Sequence, residues 1–209
     1  MDEYLSEHEQ WEQVKAWLRV NGPWMIAGVA LAAIGLSGWN WWNNRQAGNA
    51  TAAHVRYQAI VATYNRADLA GGEKLADQLI ADAPDSPYAI QAQLLTARVE
   101  VESGKQAQAA ERLAKVATYK ADPQIALVAR LRLARLQIDQ GKADDALKTL
   151  AAAEPGAFAP SYDEVRGDAL LAKGDKDGAL KAYRSARQNG ALVVDTELLD
   201  LKINELDPS

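Results

Sequence analysis

The chain is 209 residues long and holds 28 acids, 23 bases, two histidines and no cysteine, for a formal net charge of −5 at pH 7. Without cysteine there are no disulfides, thiol nucleophiles or thiolate metal sites, and so balanced a surface offers no basic field for nucleic acid. Ala, Leu and long charged side chains dominate, and β-branched runs of period two are absent, so the expected fold class is all-α.

The first 22 residues form an acidic tail, in which Asp2, Glu3, Glu7, Glu9 and Glu12 outnumber Lys15 and Arg19. Leu5, Trp11, Val14, Trp17 and Leu18 include the helical spacing 11, 14, 18, the pattern of a short amphipathic helix at a membrane surface. The acidity opposes attraction to anionic lipid. Two readings stand for the tail: docking on a basic protein surface, or plain solvation.

From Val20 to Asn44 the chain carries no Asp, Glu, Lys or Arg. Within that window Pro23 to Trp42 is long enough, at the helical rise, to cover roughly 30 Å, the thickness of a bilayer's hydrocarbon core. Trp24 stands at one end and Trp39, Trp41 and Trp42 at the other, where amphipathic rings prefer the headgroup boundary. A cleaved signal would want a basic start and a shorter apolar run, so the segment reads as an uncleaved anchor, although a small-residue site exists at Gly48-Asn49-Ala50. Lys15 and Arg19 before the span balance Arg45 and Arg56 after it, and charge leaves the orientation open. Gly28, Ala32 and Gly35 fall on one face, where another membrane helix can approach closely.

Beyond the span, residues 43–209 form one domain's worth of chain. Gly71, Gly104, Gly141 and Gly174 punctuate it at intervals of 33, 37 and 33 residues. Five positions after each comes alanine (Ala76, Ala109, Ala146, Ala179), and nine after each a larger apolar residue (Ile80, Leu113, Leu150, Tyr183). Seven before the last three glycines sits a small residue, Ala97, Ala134 or Gly167, while Tyr64 occupies that place before Gly71. This is the arithmetic of a helix–turn–helix repeat, with glycine at the turn and alanine holding the second helix close. The period resembles the tetratricopeptide repeat of 34 residues over about residues 50–190. Pro84, Pro87, Pro123, Pro155 and Pro160 fall between pairs, where proline ends one helix or begins the next. The stretch Val193 to Leu206 places Leu199, Ile203 and Leu206 on one stripe and reads as a capping helix with its charged side in water. The expected layout is a tail over 1–22, a transmembrane helix over 23–42, and a tetratricopeptide-like solenoid with a C-terminal cap over 43–209.

No catalytic, cofactor-binding or metal-ligating set is expected. His8 and His54 have no acid spaced as a partner. Asp175-Lys176-Asp177-Gly178 lacks the third acid and the closing Glu of a calcium loop, so it reads as a solvated turn. Asp144-Asp145 and Asp163-Glu164 are expected near helix starts, where carboxylates cap exposed amides and suit the helix dipole. A solenoid presents the first helix of each pair to partners. Positions six and three before the turn glycines place Arg98 and Arg135 there, with Val101 and Ile138 one turn along and Gln91 and Val128 nearer the rim. The two arginines suit a carboxylate-bearing partner, or else pair with Glu102, Asp139 or another neighbour on the domain.

Four segments, Glu9 to Gly22, Ala129 to Leu150, Val165 to Tyr183 and Leu199 to Leu206, together resemble the YfgM-like family of ancillary subunits of the bacterial SecYEG translocon. The resemblance runs nearly end to end and is weakest over Gly71 to Tyr119. It implies a single-pass inner-membrane protein with a cytoplasmic N-terminus and a periplasmic repeat domain. It also implies association with SecYEG and with a membrane-anchored PpiD-type chaperone, in a non-enzymatic scaffold that needs no cofactor and helps newly translocated chains. The rival readings are a periplasmic holdase that binds unfolded chains itself and an envelope assembly factor.

Overall fold

The structure, a computed structural model, describes residues 7–189 and 195–207. All regular elements among the described residues are helical. Two compact units divide the chain, Met1–Ala52 and Ala53–Ser209.

Helix α1 spans Glu7–Asn65, with Pro23 inside it. The tail is therefore not a separate short helix: it continues into the apolar segment without a break. Proline lacks the amide that would close the turn onto residue 19, and close by Asn21 Nδ2 donates to the Trp17 carbonyl at 3.0 Å. The stretch Trp11–Trp42 is long and apolar enough to cross a membrane, and none of it is buried against protein. Lys15 pairs with Glu12 at 2.9 Å, and Arg45 lies 5.4 Å from the centre of the Trp41 ring. Asp2, Glu3 and Leu5 of the tail lie outside the described residues.

The second unit begins within α1 and continues as α2 (Leu69–Asp82), α3 (Pro87–Glu102), α4 (Gln106–Val116), α5 (Pro123–Asp139), α6 (Ala143–Ala151), a 3₁₀ turn (Gly156–Phe158), α7 (Ala159–Ala172), α8 (Lys176–Asn189) and α9 (Thr196–Leu206). Successive helices pack as hairpins, α3 on α4, α5 on α6 and α7 on α8, with α9 closing the end against α8. Helix starts are well specified. Ser86, Asp122 and Asp195 accept hydrogen bonds from amides in the first turns of α3, α5 and α9, and Pro87 and Pro123 occupy first positions whose amides need no partner.

Gly104, Gly141 and Gly174 adopt left-handed backbone between the helices of their pairs, as the spacing predicts, with φ of 80°, 72° and 83°. Gly71 does not. The left-handed residue of the first hairpin is Ala67, with φ of 61°, and Gly71 lies inside α2, donating its amide to Asp68 at 2.9 Å. Its counterpart is Gly178, which donates to Asp175 at 2.9 Å in the same Asp-x-x-Gly start of α8. The turn residues are thus 67, 104, 141 and 174, spaced by 37, 37 and 33. With that register the first hairpin buries the same positions as the others, with large and small exchanged at two of them. Gly72 takes the position of Ala109, Ala146 and Ala179, Ala76 that of Leu113, Leu150 and Tyr183, and Ile60 that of Ala97, Ala134 and Gly167; all twelve are buried. A methyl on Gly72 would collide with the Tyr64 ring, and one on Gly167 with the Tyr183 ring.

Tyrosines then join one hairpin to the next. The Tyr64 hydroxyl donates to Thr96 Oγ1 at 2.9 Å, Tyr119 to the Asp85 carbonyl at 3.2 Å and Tyr162 to the Leu127 carbonyl at 2.9 Å. Burial raises the pKa of Tyr64 and Tyr162, which keeps both hydroxyls protonated as donors. In the cap, Leu199 is fully buried against Ala179, Tyr183 and Ala186, with Ile203 and Leu206 beside it, as the stripe predicts. The outer side of α9 is not purely charged, since Leu198 and Leu201 are exposed on it. Val193 and Val194 lie outside the described residues.

The corrected register makes a stability prediction. Ala67→Gly removes a left-handed alanine and is expected to stabilise the fold by about 1 kcal/mol, read as a raised Tm in thermal melts followed by circular dichroism. A Tm unchanged or lowered contradicts Ala67 as the turn residue.

Candidate functional site

The site is the face made by the first helices of the hairpins, and its form follows from what fills the space between neighbours. Between α1 and α3 the space is filled by aromatic rings: His54 and Tyr57 lie 4.9 Å and 6.1 Å, centre to centre, from Tyr88. His54 also shares a hydrogen bond with Gln58 at 3.0 Å.

Between α5, α7 and α9 the space is bridged by charge. Lys202 of α9 donates to Glu164 at 3.0 Å and Asp168 at 2.8 Å of α7, and its ammonium sits 5.3 Å from the Tyr183 ring centre. Arg135 of α5 reaches the same Glu164 at 3.8 Å, and the Tyr183 hydroxyl donates to Asp168 at 2.8 Å. Burial works against the charge on Lys202, but its hydrogen bonds and attraction to Asp168 and Glu164 outweigh that, and its pKa is raised. Burial, with the hydrogen bond to Asp168, raises the pKa of Tyr183 strongly.

Between α3 and α5 a cleft of about 320 Å³ stays open, lined by Leu94, Ala97, Arg98 and Val101 of α3, Leu113 of α4, and Arg132, Arg135, Leu136 and Asp139 of α5. The structure therefore brings Arg98, Val101 and Arg135 together. It leaves the other three out of the cleft lining: Gln91 is exposed, Val128 half-buried, and Ile138 packs into the core shared by α5, α6 and α7. Arg98 pairs with Glu102 at 3.4 Å, as one of the two readings has it. The carboxylate near Arg135 is Glu164 on the next hairpin, a pairing that spacing within α5 does not reveal. Arg132 also lines the cleft, one turn before Leu136, and sequence reasoning passed over it.

The other candidate acids hold the scaffold. Asp144 and Asp145 stand in the first turn of α6, as expected. Asp144 bonds Lys173 at 2.5 Å, which lowers its pKa, and Asp145 pairs with Lys148 at 3.3 Å. Asp163 and Glu164 are near the start of α7 but beyond its capping positions. They lie in the second turn of α7 and are spent sideways, Asp163 on Arg166 at 2.5 Å and Ser185 at 2.7 Å, Glu164 on Lys202. A second tie centres on half-buried Arg112 of α4, which donates to Glu100 of α3 at 2.7 Å and to Asp77 of α2 at 2.8 Å. In the first unit Gly28, Ala32 and Gly35 are exposed on α1, and a methyl at either glycine would meet nothing within 4 Å.

Comparison with known proteins gives a consistent result. The family described as "Tetratricopeptide repeat-like domain" matches residues 15–208. A curated protein of Escherichia coli named "Ancillary SecYEG translocon subunit" is 32% identical over 209 residues, covering 99% of each chain. Proteins of the same name from Aggregatibacter actinomycetemcomitans and Neisseria gonorrhoeae are each 30% identical. The first is aligned over 97% of this chain and 98% of its own length, the second over 99% and 100%.

The charge bridge makes the second prediction. Lys202→Ala takes the ammonium from two half-buried carboxylates and is expected to cost about 1–3 kcal/mol at pH 7. Because the folded-state pKa is raised, the lysine's contribution is complete below the unfolded value of about 10.4 and is lost as pH climbs through the folded one. The Tm gap between parent and variant therefore narrows at strongly alkaline pH. A gap absent at pH 7, or independent of pH, contradicts the bridge.

Proposed function

We propose, for a chain that belongs to the tetratricopeptide repeat-like, YfgM-like family, that it is a non-enzymatic, single-pass adaptor of the bacterial inner membrane that accompanies the SecYEG translocon. The observation that carries this reading is the match with proteins named ancillary SecYEG translocon subunits, which spans 99% of the chain in the Escherichia coli protein. Residues 1–22 face the cytoplasm, 23–42 span the bilayer and 43–209 stand in the periplasm. Trp24 at one end, and Trp39, Trp41 and Trp42 at the other, are exposed on α1 and seat the span at the two headgroup levels.

The span packs laterally on translocon helices through Gly28, Ala32 and Gly35, whose missing or minimal side chains let two backbones approach. The repeat domain meets a PpiD-type chaperone through Arg98, Val101 and Arg135 of the cleft, with Gln91 and Val128 outside the cleft on the same face and Ile138 supporting it from the core. In this scheme the protein does no chemistry. Its acids and bases tie helix to helix, and its work is to hold a chaperone beside the exit of translocated chains.

A photo-crosslinking side chain placed at Gly35 or at Arg98 of the full-length protein in intact membranes tests the scheme. Gly35 is expected to capture a translocon subunit and Arg98 a chaperone, with the repeat domain digested by protease added to spheroplasts. A domain protected in spheroplasts, or no translocon subunit captured from either position, contradicts it.

A further inference from the structure

The open cleft between α3 and α5 has a composition that the two neighbouring spaces lack. Its base is apolar, with Ala97, Leu113 and Leu136 buried beneath half-buried Leu94 and exposed Val101. Its walls hold three guanidiniums, Arg98, Arg132 and Arg135, against the single carboxylate of Asp139. Arg98 and Arg135 are at least half exposed, and their contacts to Glu102 and Glu164 are long, at 3.4 Å and 3.8 Å. The Arg98 pair is solvated on both sides, and Glu164 keeps Lys202 if half-exposed Arg135 turns away, so both guanidiniums are free to take a better acceptor. Arg132 is exposed and makes no ion pair or side-chain hydrogen bond among the described residues.

We infer that this cleft seats an acidic amphipathic segment of a partner protein, with apolar side chains on Leu94, Val101 and Leu136 and carboxylates on Arg132 and Arg135. The inference rests on the adaptor reading and deepens it by naming the chemistry of what is gripped. A guanidinium offers a planar fork of donors that matches a carboxylate bidentately, and it sheds water more readily than an ammonium. The cleft volume of about 320 Å³ lies at the small end of ligand pockets, room for a few side chains rather than a folded element. Nucleic acid is a poor match, because Asp139 lines the cleft and the chain's net charge is −5. Leucine and glutamate at helical spacing supply both halves of the surface: carboxylates for the walls and methyl groups for the base.

The test uses the full-length protein in nanodiscs and a fluorescein-labelled 16-residue peptide with Leu and Glu at i, i+3 and i+4 spacing. Companion peptides carry Gln or Lys in place of Glu. Anisotropy is expected to show saturable binding of the Glu peptide that weakens with salt, and at least tenfold weaker binding of the Gln and Lys peptides. Arg132→Glu is expected to weaken the Glu peptide at least tenfold, Arg132→Lys less, and Lys181→Glu on the distant α8 not at all. Circular dichroism verifies that each variant is folded. Equal binding of Glu and Gln peptides, or parent-like binding by folded Arg132→Glu, overturns the inference. So does sedimentation showing a dimer that Arg132→Glu dissociates, since the occupant is then a second copy. Crosslinking of the Arg132→Glu chain to translocon subunits in membranes reads the adaptor scheme separately: capture retained while peptide binding is lost places the defect in the cleft alone.

Discussion

The close approach of two helices within each hairpin is the constraint on which the rest depends. It is set by residues that are nearly without side chains: Gly72, Ala109, Ala146 and Ala179 on the second helices, facing Ala97, Ala134 and Gly167 on three of the first. Where one side of a contact grows the other shrinks. Tyr183 fills the space that Gly167 vacates, and Tyr64 that of Gly72. Interiors are packed at crystal-like density, so a change of volume on one side has to be matched on the other. With the second helices held this tightly, each hairpin must bury its remaining apolar surface on a neighbour, and the stack follows.

The first helices are then left to decide what the surface presents. Aromatic rings close one inter-hairpin space and the bridge of Arg135, Glu164, Lys202 and Asp168 closes another. The same charges that make the domain look evenly polar in composition are therefore divided into two kinds. Lys202, Glu164 and Asp168 are half-buried and hold the cap in place, while half-exposed Arg135 stands at the border of both groups. Those on the α3–α5 cleft stand at the surface over an apolar base. A docking role needs this division, because a surface whose arginines were all locked to buried partners would have nothing to exchange.

Much of this was legible in the sequence, and the misses have physical causes. Three turns and their alanine partners were readable because glycine marks left-handed backbone and buried alanine marks close packing. The first turn was misread because Ala67 gives no sign of its conformation, while Gly71, a helix-start residue beside Asp68, imitates a turn glycine at a plausible interval. The capping role expected of Asp163 and Glu164 fails because α7 begins at Ala159, a turn before them. Arg98, Val101 and Arg135 could be grouped by counting from the turns, since helical periodicity puts them on one face. Arg132 could not, for what distinguishes it is the lack of a partner, and that depends on what distant hairpins place nearby. Glu164, acceptor to both Arg135 and Lys202, lies 29 and 38 positions from them and was invisible for the same reason.

The most direct test of the close-packing constraint is the unfolding free energy of Ala146→Leu, taken from denaturant titrations followed by circular dichroism. Ala146 is fully buried in the core shared by α5, α6 and α7. The account predicts a loss of about 1–3 kcal/mol, because an enlarged side chain must push α6 off α5. An unchanged or increased unfolding free energy would mean that the helices do not meet through their small residues, and the architecture described here would be wrong at its foundation.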